Sequence, residues 1–441
     1  MLEFLGLDSL EGLFELVPVA IRLAGGLDLG PGRSEPDVAA QFAQYTKANI
    51  ATRERLVCFA GCGAYDHEVP AVVSALSSRS EFVTAYTPYQ PEVAQGVLQA
   101  VFEYQTMVAR LAGLPIANAS LYDGATALVE AVNMAAGATG RDKILLSTGV
   151  HPHWRDVVKT FARGTGHQIV EVPLTDGVTD WSSVETFGAA AMVVAYPNYL
   201  GVIEDMDAVK DHCDRSGAQY VAAIDPVAAG VLRSAGEWGA DIVVGEGQPF
   251  GTPLAYGGPY LGLFACSDEL VRRLPGRLVG ETVDNHGRRA FVTTLRAREQ
   301  DIRREKATSN VCTNQTLMAV TAAIQLGWLG TQGLHEVATR CAQAAHYAFD
   351  ELSAIEGVGA LTEAPFLREF TVTTALPSTV VLDRLADEGF LGGVSAVSLT
   401  GGPDGSMPDD DIEHAIVVAV TERRTRNEID QFAAAFAKAV S

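Results

Sequence analysis

The chain contains 441 residues, of which 48% are apolar and 20% charged, and this composition is typical of a folded globular protein rather than a disordered one. Its length exceeds what one compact core usually holds, so we expect two or three domains. The net charge of −22 argues against nucleic acid or a membrane surface as the main partner.

The sequence shows no pattern that predicts export, a membrane span or disulfides. The N-terminal stretch MLEFLGLDSLEGLFELVP is acidic and lacks a cleavage-site pattern, so it does not read as a signal peptide. No run of about 18 apolar residues is present. The six cysteines contain no CxxC pair. We therefore predict reduced cysteines and a cytoplasmic location.

Residues 1–60 are predicted to form a helical N-terminal arm that contains the loop GGLDLGPGRSEP. From about residue 115, apolar runs alternate with helical patterns, which predicts a mainly parallel sheet covered by helices on both faces. The seven candidate strands are PIANASLY, KILLSTG, QIVEVP, AAMVVAYP, QYVAAID, DIVVG and YLGLFA. The last two have no helix between them, so we expect an antiparallel edge there.

The rest of the chain predicts a second, smaller α/β unit. A long helical stretch near residues 300–355 is followed by EFTVTTA, STVVLDRLADEG, EHAIVVAVTE and RNEIDQFAAAFAKAV. We therefore place a large α/β domain at residues 61–330 and a small C-terminal α/β domain at residues 331–441.

Ligands of such sheets bind at the carboxyl ends of the strands, so the residues after each strand are the site candidates. After NASLY, the residues Gly124, Ala125 and Thr126 begin a helix whose free N–H groups and dipole favour a phosphate. The alternative is an ordinary helix cap by Asp123, which this stretch taken alone favours.

Three further strand ends carry polar candidates. His151 follows LLSTGV, and because it and His153 have no third ligand at zinc spacing, a structural or stacking role is favoured over a metal. Asp225 follows YVAAI, where alone it would cap the next turn, and Gln248 lies in the turn after DIVVGEG. A phosphate-binding helix start, a ring-stacking histidine, an aspartate for a pyridine nitrogen and a later turn residue form the layout of a pyridoxal-phosphate pocket.

This layout lacks its covalent anchor. The turn position would have to be a lysine, since only an amine condenses reversibly with the cofactor aldehyde. Gln248 stands there instead, and none of the lysines occupies a turn after a late strand; they are Lys47, Lys143, Lys159, Lys210, Lys306 and Lys438. The sequence thus outlines a cofactor pocket without the group that would hold the cofactor.

Three other segments have the composition of binding loops. GCGAYDHEVP (residues 61–70) and FVTAYTPYQPEVAQG (residues 82–96) are dense in aromatic and polar residues. The first has a GxG but lacks the third glycine and the βαβ unit of a dinucleotide loop, and the adjacent residues of YDHE cannot all face one metal ion. The arginines of LRAREQDIRREKATSNVCTNQ would usually form a solvated helix face, yet TSNVCTNQ before an apolar helix suggests a lined cavity.

Six stretches carry a resemblance to a known family: GCGAYDHEVP, SEFVTAYTPYQPEVAQG, ANASLYDGATAL, VVGEGQPFGTPLAYGGPYLG, PGRLVGETVD and IRREKATSNVCTNQ. On these motifs, and over nearly its whole length, the chain resembles the alpha-type subunits (subunit 1) of bacterial decarboxylating glycine dehydrogenases, the P-proteins of the glycine cleavage system. The resemblance implies an α/β, fold-type I pyridoxal-phosphate-dependent transferase-like architecture. It has a large, mainly parallel seven-stranded sheet domain and a smaller C-terminal α/β domain.

The resemblance also implies an α2β2 assembly in which a homologous β subunit holds pyridoxal 5′-phosphate covalently. Comparison with that subunit's turn pattern puts Gln248 at the lysine position. The partner's cofactor accepts the electrons left when glycine loses CO2, and the aminomethyl group passes to the lipoyl arm of H-protein. The pocket of this chain is then vestigial, and its residues are Gly124, Ala125, Thr126, His151, Asp225 and Gln248.

In dimers of this fold the active site lies between subunits, so the resemblance implies that this chain lines the partner's site. It assigns no catalytic residue and no metal to the chain itself. The candidates for the lining are Tyr65, Asp66, His67, Tyr86, Tyr89 and Gln90, followed by Arg303, Arg304, Asn310 and Thr313. Two alternatives stay open: a non-catalytic scaffold that only stabilises the β subunit, and a stand-alone pyridoxal-phosphate enzyme, which the lysine positions disfavour.

Overall fold

The computed structural model describes residues 1–23, 25–49, 55–83 and 87–441. The chain divides into two compact units, Met1–Glu54 and Arg55–Ser441. Within the described ranges, no helix combines the length and the apolar character needed to cross a bilayer.

The first unit is built from short helical elements. Helix α1 (Leu2–Leu5) and helix α2 (Glu35–Ala48) are separated by 3₁₀ turns at Glu11–Phe14 and Val19–Ile21. Ser34 caps α2, and a proline in its first turn needs no N–H partner. None of these four elements buries a side chain within this unit.

The second unit alternates strands and helices. Its strands are β1 (Val57–Cys58), β2 (Ile116–Ala117), β3 (Lys143–Ser147), β4 (Gln168–Val172), β5 (Leu174–Thr175), β6 (Val178–Thr179), β7 (Ala189–Tyr196), β8 (Gln219–Ile224), β9 (Ile242–Glu246), β10 (Gly262–Cys266), β11 (Leu278–Val283), β12 (Arg289–Thr294), β13 (Val358–Ala360), β14 (Glu369–Thr374), β15 (Phe390–Leu391), β16 (Val394–Ser395) and β17 (Ala415–Ala419). Its helices are α3 (Ala71–Ser77), α4 (Ser80–Val83), α5 (Gln95–Ala112), α6 (Gly124–Thr139), α7 (Pro152–Thr165), α8 (Met206–Ser216), α9 (Gln300–Arg303), α10 (Thr316–Ser353), α11 (Ser378–Asp387), α12 (Ala396–Thr400) and α13 (Arg426–Val440).

Seven of these strands form one sheet in the spatial order β2-β10-β9-β8-β7-β3-β4. The pairs from β9 to β4 are parallel, whereas β10 is antiparallel to both β9 and β2. The seven predicted strands and the antiparallel pairing of the last two are confirmed. The expected position of that pair at the edge is wrong, because β2 pairs with the outer side of β10 and is itself the edge strand.

Both faces of the sheet are covered. All eight residues of β7 are buried, and they alternate between two apolar clusters: Met192 and Val194 in one, Ala191 and Val193 in the other. Successive strand side chains point to opposite faces, so two buried faces require a continuous apolar run. Burying one large aliphatic side chain of this kind contributes about 1.5–3 kcal/mol.

The C-terminal segments form an antiparallel sheet in the order β13-β14-β17-β16 with α11 and α13. Helix α10 runs across residue 330, where Gly330 takes the non-helical angles φ 61° and ψ −175° and kinks the helix. The division of the second unit at 330/331 stays a prediction.

A close backbone approach joins the loop after β7 to the start of β14. Gly201 has φ +92°, and a Cβ built on it would lie 1.9 Å from the backbone oxygen of Glu369. Only glycine fits this position, and the contact brings the start of β14 to the carboxyl end of the large sheet.

Candidate functional site

A cavity of about 80 Å³ lies at the carboxyl ends of β7 and β8, where the sequence predicted a pocket. The predicted residues Tyr65, His151 and Asp225 line it together with Arg368 and Glu369. Ligand pockets usually measure about 300–1,000 Å³, and one water needs about 10–15 Å³. The cavity therefore has room for a few waters rather than for a cofactor.

His151 caps a helix. It precedes α7, and its Nδ1 accepts the backbone N–H of His153 at 3.1 Å. Burial lowers the pKa of His151 to about 4, so the ring is neutral at pH 7. A crevice of about 300 Å³ beside the cavity is lined by His151, Ala125 and Trp154.

The start of α6 is capped from within the chain. The Asp123 carboxylate accepts the Thr126 N–H at 2.7 Å, and Thr126 Oγ1 accepts the Asp123 N–H at 3.2 Å. The alternative prediction of a cap by Asp123 is thereby confirmed. The N–H of Gly124 is also engaged, because it donates to Glu246 Oε2 at 2.9 Å.

Glu246, the last residue of β9, accepts three backbone N–H groups. Its other oxygen, Oε1, accepts the N–H groups of Gln248 and Leu261, both at 2.9 Å. The side chain is buried, and burial raises its pKa to about 7 in spite of these three bonds. The N–H groups of Gly124, Gln248 and Leu261, here called the N–H cradle, thus enclose a carboxylate of the same chain.

Gln248 ties two loops together. Its Oε1 accepts the backbone N–H of Tyr65 at 2.9 Å. Its Nε2 donates to the backbone carbonyl oxygens of Tyr65 at 3.1 Å and of Thr252 at 2.7 Å. The side chain is 1% exposed. Both amide protons and the amide oxygen are therefore used in bonds to backbone groups.

Asp225 is paired with a buried arginine. Its Oδ2 accepts Arg368 Nε at 2.5 Å, while Arg368 Nη1 donates to His67 Nε2 at 2.5 Å. His67 Nε2 accepts, so the ring carries its proton on Nδ1, which donates to Glu422 Oε2 at 2.7 Å. Burial alone would raise the pKa of Glu422, but the hydrogen bonds from His67 Nδ1 and from the Glu68 N–H lower it to about 2.

The sulfur of Cys341 lies near this chain of bonds, and the atoms of His67, Cys341 and Glu422 are within 4.8 Å of one another. Three such groups can bind a metal. Here both ring nitrogens of His67 are engaged, and burial raises the pKa of the Cys341 thiol, which keeps it protonated. The cluster is therefore a hydrogen-bonded one.

Tyr65 and Glu369 close one side of the cavity. The Tyr65 hydroxyl donates to Glu369 Oε2 at 2.6 Å, and the Cys62 N–H donates to Oε1 at 2.6 Å. The Arg368 guanidinium lies 3.6 Å from the centroid of the Tyr65 ring. Burial raises the pKa of Glu369 to about 7.

The remaining lining candidates lie in several places. Asp66 pairs with Arg423, and also with Arg424 at 3.4 Å. Tyr89 is 43% exposed, and its ring stacks on the Arg277 guanidinium at 4.3 Å. Thr313 accepts from the same guanidinium at 3.4 Å.

Gln90 and Arg303 are exposed, whereas Arg304 and Asn310 line a groove of about 850 Å³ with Glu130. None of these four lines the 80 Å³ cavity. Tyr86 lies outside the described residues. The structure therefore brings together the residues of the predicted pocket with Tyr65 and His67, and it separates them from Tyr89 and from the groove.

The sequence reasoning missed Glu246, Arg368, Glu369 and Glu422. A signal existed for the first three, because VVGEG and FLREFTV place charged residues at the borders of apolar strands, where burial requires a partner. No such signal marked Glu422, because TERRTRNE reads as an exposed charged turn.

These residues do not fit pyridoxal phosphate. Among the described residues, no lysine lines the cavity or the crevice beside it. The N–H cradle, which would receive a phosphate, is occupied by the Glu246 carboxylate. Asp225, which would pair with a pyridine nitrogen, binds Arg368 instead. The amide of Gln248, at the predicted anchor position, has no free polar atom.

Comparison with known proteins agrees with this fold. Residues 1–436 match the family described as "Glycine cleavage system P-protein". The chain is 46% identical over 435 residues to a protein of Geobacillus kaustophilus named "Probable glycine dehydrogenase (decarboxylating) subunit 1", covering 98% of this chain and 95% of that one. A protein of the same name from Moorella thermoacetica is 46% identical over 438 residues, covering 99% and 96%.

A solved structure described as glycine decarboxylase (P-protein) of the glycine cleavage system, in inhibitor-bound form, aligns with a TM-score of 0.91 and 43% identity. It covers 100% of this chain and 97% of that one. A sphingosine-1-phosphate lyase of Burkholderia pseudomallei aligns with a TM-score of 0.65 at 15% identity, covering 94% and 93%, which bears on the fold alone. The expected fold-type I architecture is confirmed.

Proposed function

This chain belongs to the glycine cleavage system P-protein family, and we propose that it is the partner-dependent, alpha-type subunit of a glycine-decarboxylating enzyme. In this proposal a homologous β subunit holds pyridoxal 5′-phosphate covalently, in an α2β2 assembly. Glycine is the substrate, and lipoylated H-protein receives the aminomethyl group. The observation that carries the proposal is Gln248, whose amide is saturated by backbone groups in the turn that would need a free amine.

The surface of the first unit supports a protein partner. Its exposed large apolar side chains are Met1, Phe4, Leu5, Leu10, Leu13, Phe14, Leu16, Val17, Val19, Ile21, Leu23, Leu27, Leu29, Val38, Phe42 and Tyr45. Monomeric proteins rarely expose so many apolar side chains in one short segment, and such surfaces mark protein interfaces. We propose that the β subunit covers them, which agrees with the relatives' designation as subunit 1.

The chemistry divides between the two chains. When bound to the partner, pyridoxal phosphate supplies the electron sink for decarboxylation. This chain would supply part of the wall that keeps water from the reacting carbon and guides the lipoyl arm. We propose that Tyr89, Gln90 and Asn310, which are exposed, reach the partner's site. Tyr65, Asp66 and His67 would instead hold their loop in place, because their polar atoms are bonded inside the chain.

Substitution of Tyr89 tests the proposal against the scaffold alternative. Tyr89→Ala should leave this chain folded and the complex assembled, and should slow glycine decarboxylation. Tyr89→Phe keeps the ring on Arg277 and removes only the hydroxyl, so it separates the packing of the ring from its polar contact. Assembly is measured by sedimentation and turnover by release of labelled CO2 from glycine with H-protein present.

Each outcome decides one point. Reduced turnover at full assembly supports a lining role for Tyr89, whereas reduced assembly at unchanged turnover per complex favours the scaffold. An unchanged rate in both variants removes Tyr89 from the lining. For the stand-alone enzyme, incubation with pyridoxal phosphate, borohydride reduction and intact mass spectrometry should give no stoichiometric adduct, and an adduct at one lysine would contradict the partner-dependent role.

A further inference from the structure

The N–H cradle has the geometry of an anion site. Gly124 opens α6, a helix of 16 residues, so its N–H points along the positive end of the helix dipole. The N–H groups of Gln248 and Leu261 come from the two chain segments that border the turn after β9. All three donate at 2.9 Å to the two oxygens of one carboxylate.

The carboxylate cannot easily leave this position. Glu246 is 7% exposed, and it is fixed at the end of a strand whose five residues are all buried. The ring of Trp154 fills the space next to Gly124, where a Cβ would lie 2.2 Å from it. A second anion at the cradle would have to displace Glu246 into this packed interior or sit beside its charge.

We propose that the Glu246 side chain occupies the predicted phosphate position of this pocket and closes it to phosphate monoesters, and that its removal opens a site for them. The carboxylate satisfies the same backbone donors that a phosphate would use. The inference rests on this chain's own residues, so it stands or falls independently of the proposed β subunit and of glycine turnover.

Glu246→Ala tests the proposal in the full-length chain, with inorganic phosphate as the probe. The variant leaves three convergent N–H donors without an acceptor, and phosphate should bind it at least about tenfold more tightly than the wild type, a difference of about 1.4 kcal/mol. Binding is measured by equilibrium dialysis and by tryptophan fluorescence, to which Trp154 beside the cradle contributes. Saturating phosphate should also raise the melting temperature of the variant and leave that of the wild type unchanged.

Two controls isolate the cradle. Glu246→Gln keeps the volume of the side chain, so the cradle stays filled and phosphate binding should remain at the wild-type level. Glu204→Ala removes another buried carboxylate, one that accepts the N–H and hydroxyl of Thr179 away from the cradle. It should lose stability without gaining phosphate binding.

Several results would overturn the proposal. The proposal is wrong if folded Glu246→Ala binds phosphate no more tightly than the wild type. It is also wrong if Glu204→Ala gains as much phosphate affinity as Glu246→Ala. If Glu246→Ala does not fold, the wild type still decides: phosphate or pyridoxal phosphate that changes the tryptophan fluorescence of the wild type but not that of Trp154→Phe would show that the cradle is open. Absence of such binding would support the proposal.

Discussion

The amide of Gln248 should contribute to the stability of the loop at residues 61–70 through three hydrogen bonds. Gln248→Leu removes the acceptor of the Tyr65 N–H and the donor to the backbone carbonyl oxygens of Tyr65 and Thr252. It leaves these three backbone groups without a partner in a site where the side chain is 1% exposed. Each buried group left without a partner costs about 1–3 kcal/mol. We therefore expect the free energy of unfolding to fall by about 3 kcal/mol or more, measured by urea denaturation.

The loop should also open locally. A loss of about 3 kcal/mol corresponds to roughly a hundredfold increase in the opening equilibrium, which hydrogen exchange of a peptide spanning residues 61–70 would report. The matched control is Gln325→Leu. Gln325 is 4% exposed but makes one bond of 3.3 Å to the Glu68 oxygen, and its own oxygen has no partner. Gln325→Leu should lower the free energy of unfolding by about 1 kcal/mol or less. Equal losses of unfolding free energy in the two variants would refute the role given to Gln248.

Three further substitutions probe the surroundings of the cavity. Because burial raises the pKa of Glu369 from 4.5 to about 7, folding binds a proton there; this stabilisation is full below pH 4.5 and is lost as the pH rises through 7. Urea denaturation at pH 5 and pH 8 should therefore show about 2.5 kcal/mol less pH dependence in Glu369→Gln than in the wild type, and parallel behaviour would contradict the burial argument. Gly201→Ala should prevent folding or cost more than about 3 kcal/mol, since its Cβ would lie 1.9 Å from the Glu369 oxygen, whereas Gly257→Ala, at φ +84° in open space, should cost about 1 kcal/mol in thermal unfolding. Arg155→Met removes a buried guanidinium from the half-buried Glu171 and Asp404 and should cost about 1–3 kcal/mol, while Arg288→Met at an exposed pair should change the unfolding free energy by less than about 1 kcal/mol; equal costs would show that burial does not set the difference.

The large sheet could be predicted because its signal is local. Strands such as β7, whose residues are all buried, read as continuous apolar runs, and the helices between them read as amphipathic or capped segments. Parallel strands bring their carboxyl ends to one edge, so the positions of His151, Asp225 and Gln248 near one another followed from their places in the chain. The edge position of β2 did not follow, because two residues are too few to show a periodicity.

The bonding of the site could not be predicted, because its partners are distant in sequence. Gln248 bonds to a residue 183 positions away, Asp225 to one 143 positions away, and His67 to one 355 positions away. Composition marks such residues as polar, but only the packing of segments that are distant in the chain decides which of them meet. Asp225 alone predicted a turn cap, and the structure gives it a buried arginine as well.

These bonds also predict that Gln248→Lys alone will not make the pocket hold pyridoxal phosphate. A lysine amine could donate to the backbone carbonyl oxygens of Tyr65 and Thr252, but it offers no acceptor to the Tyr65 N–H. Two residues before it, Glu246 would still fill the N–H cradle. After incubation with pyridoxal phosphate and borohydride reduction, intact mass spectrometry should show no stoichiometric adduct at residue 248 in Gln248→Lys. The double variant Glu246→Ala/Gln248→Lys also frees the phosphate position and should be labelled more than the single variant, while the small cavity and the Arg368–Asp225 pair still keep the adduct below one per chain. A full adduct in the single variant would mean that the missing amine alone closes the pocket. The hydrogen bonds around Gln248 and Glu246 would then not restrain the site.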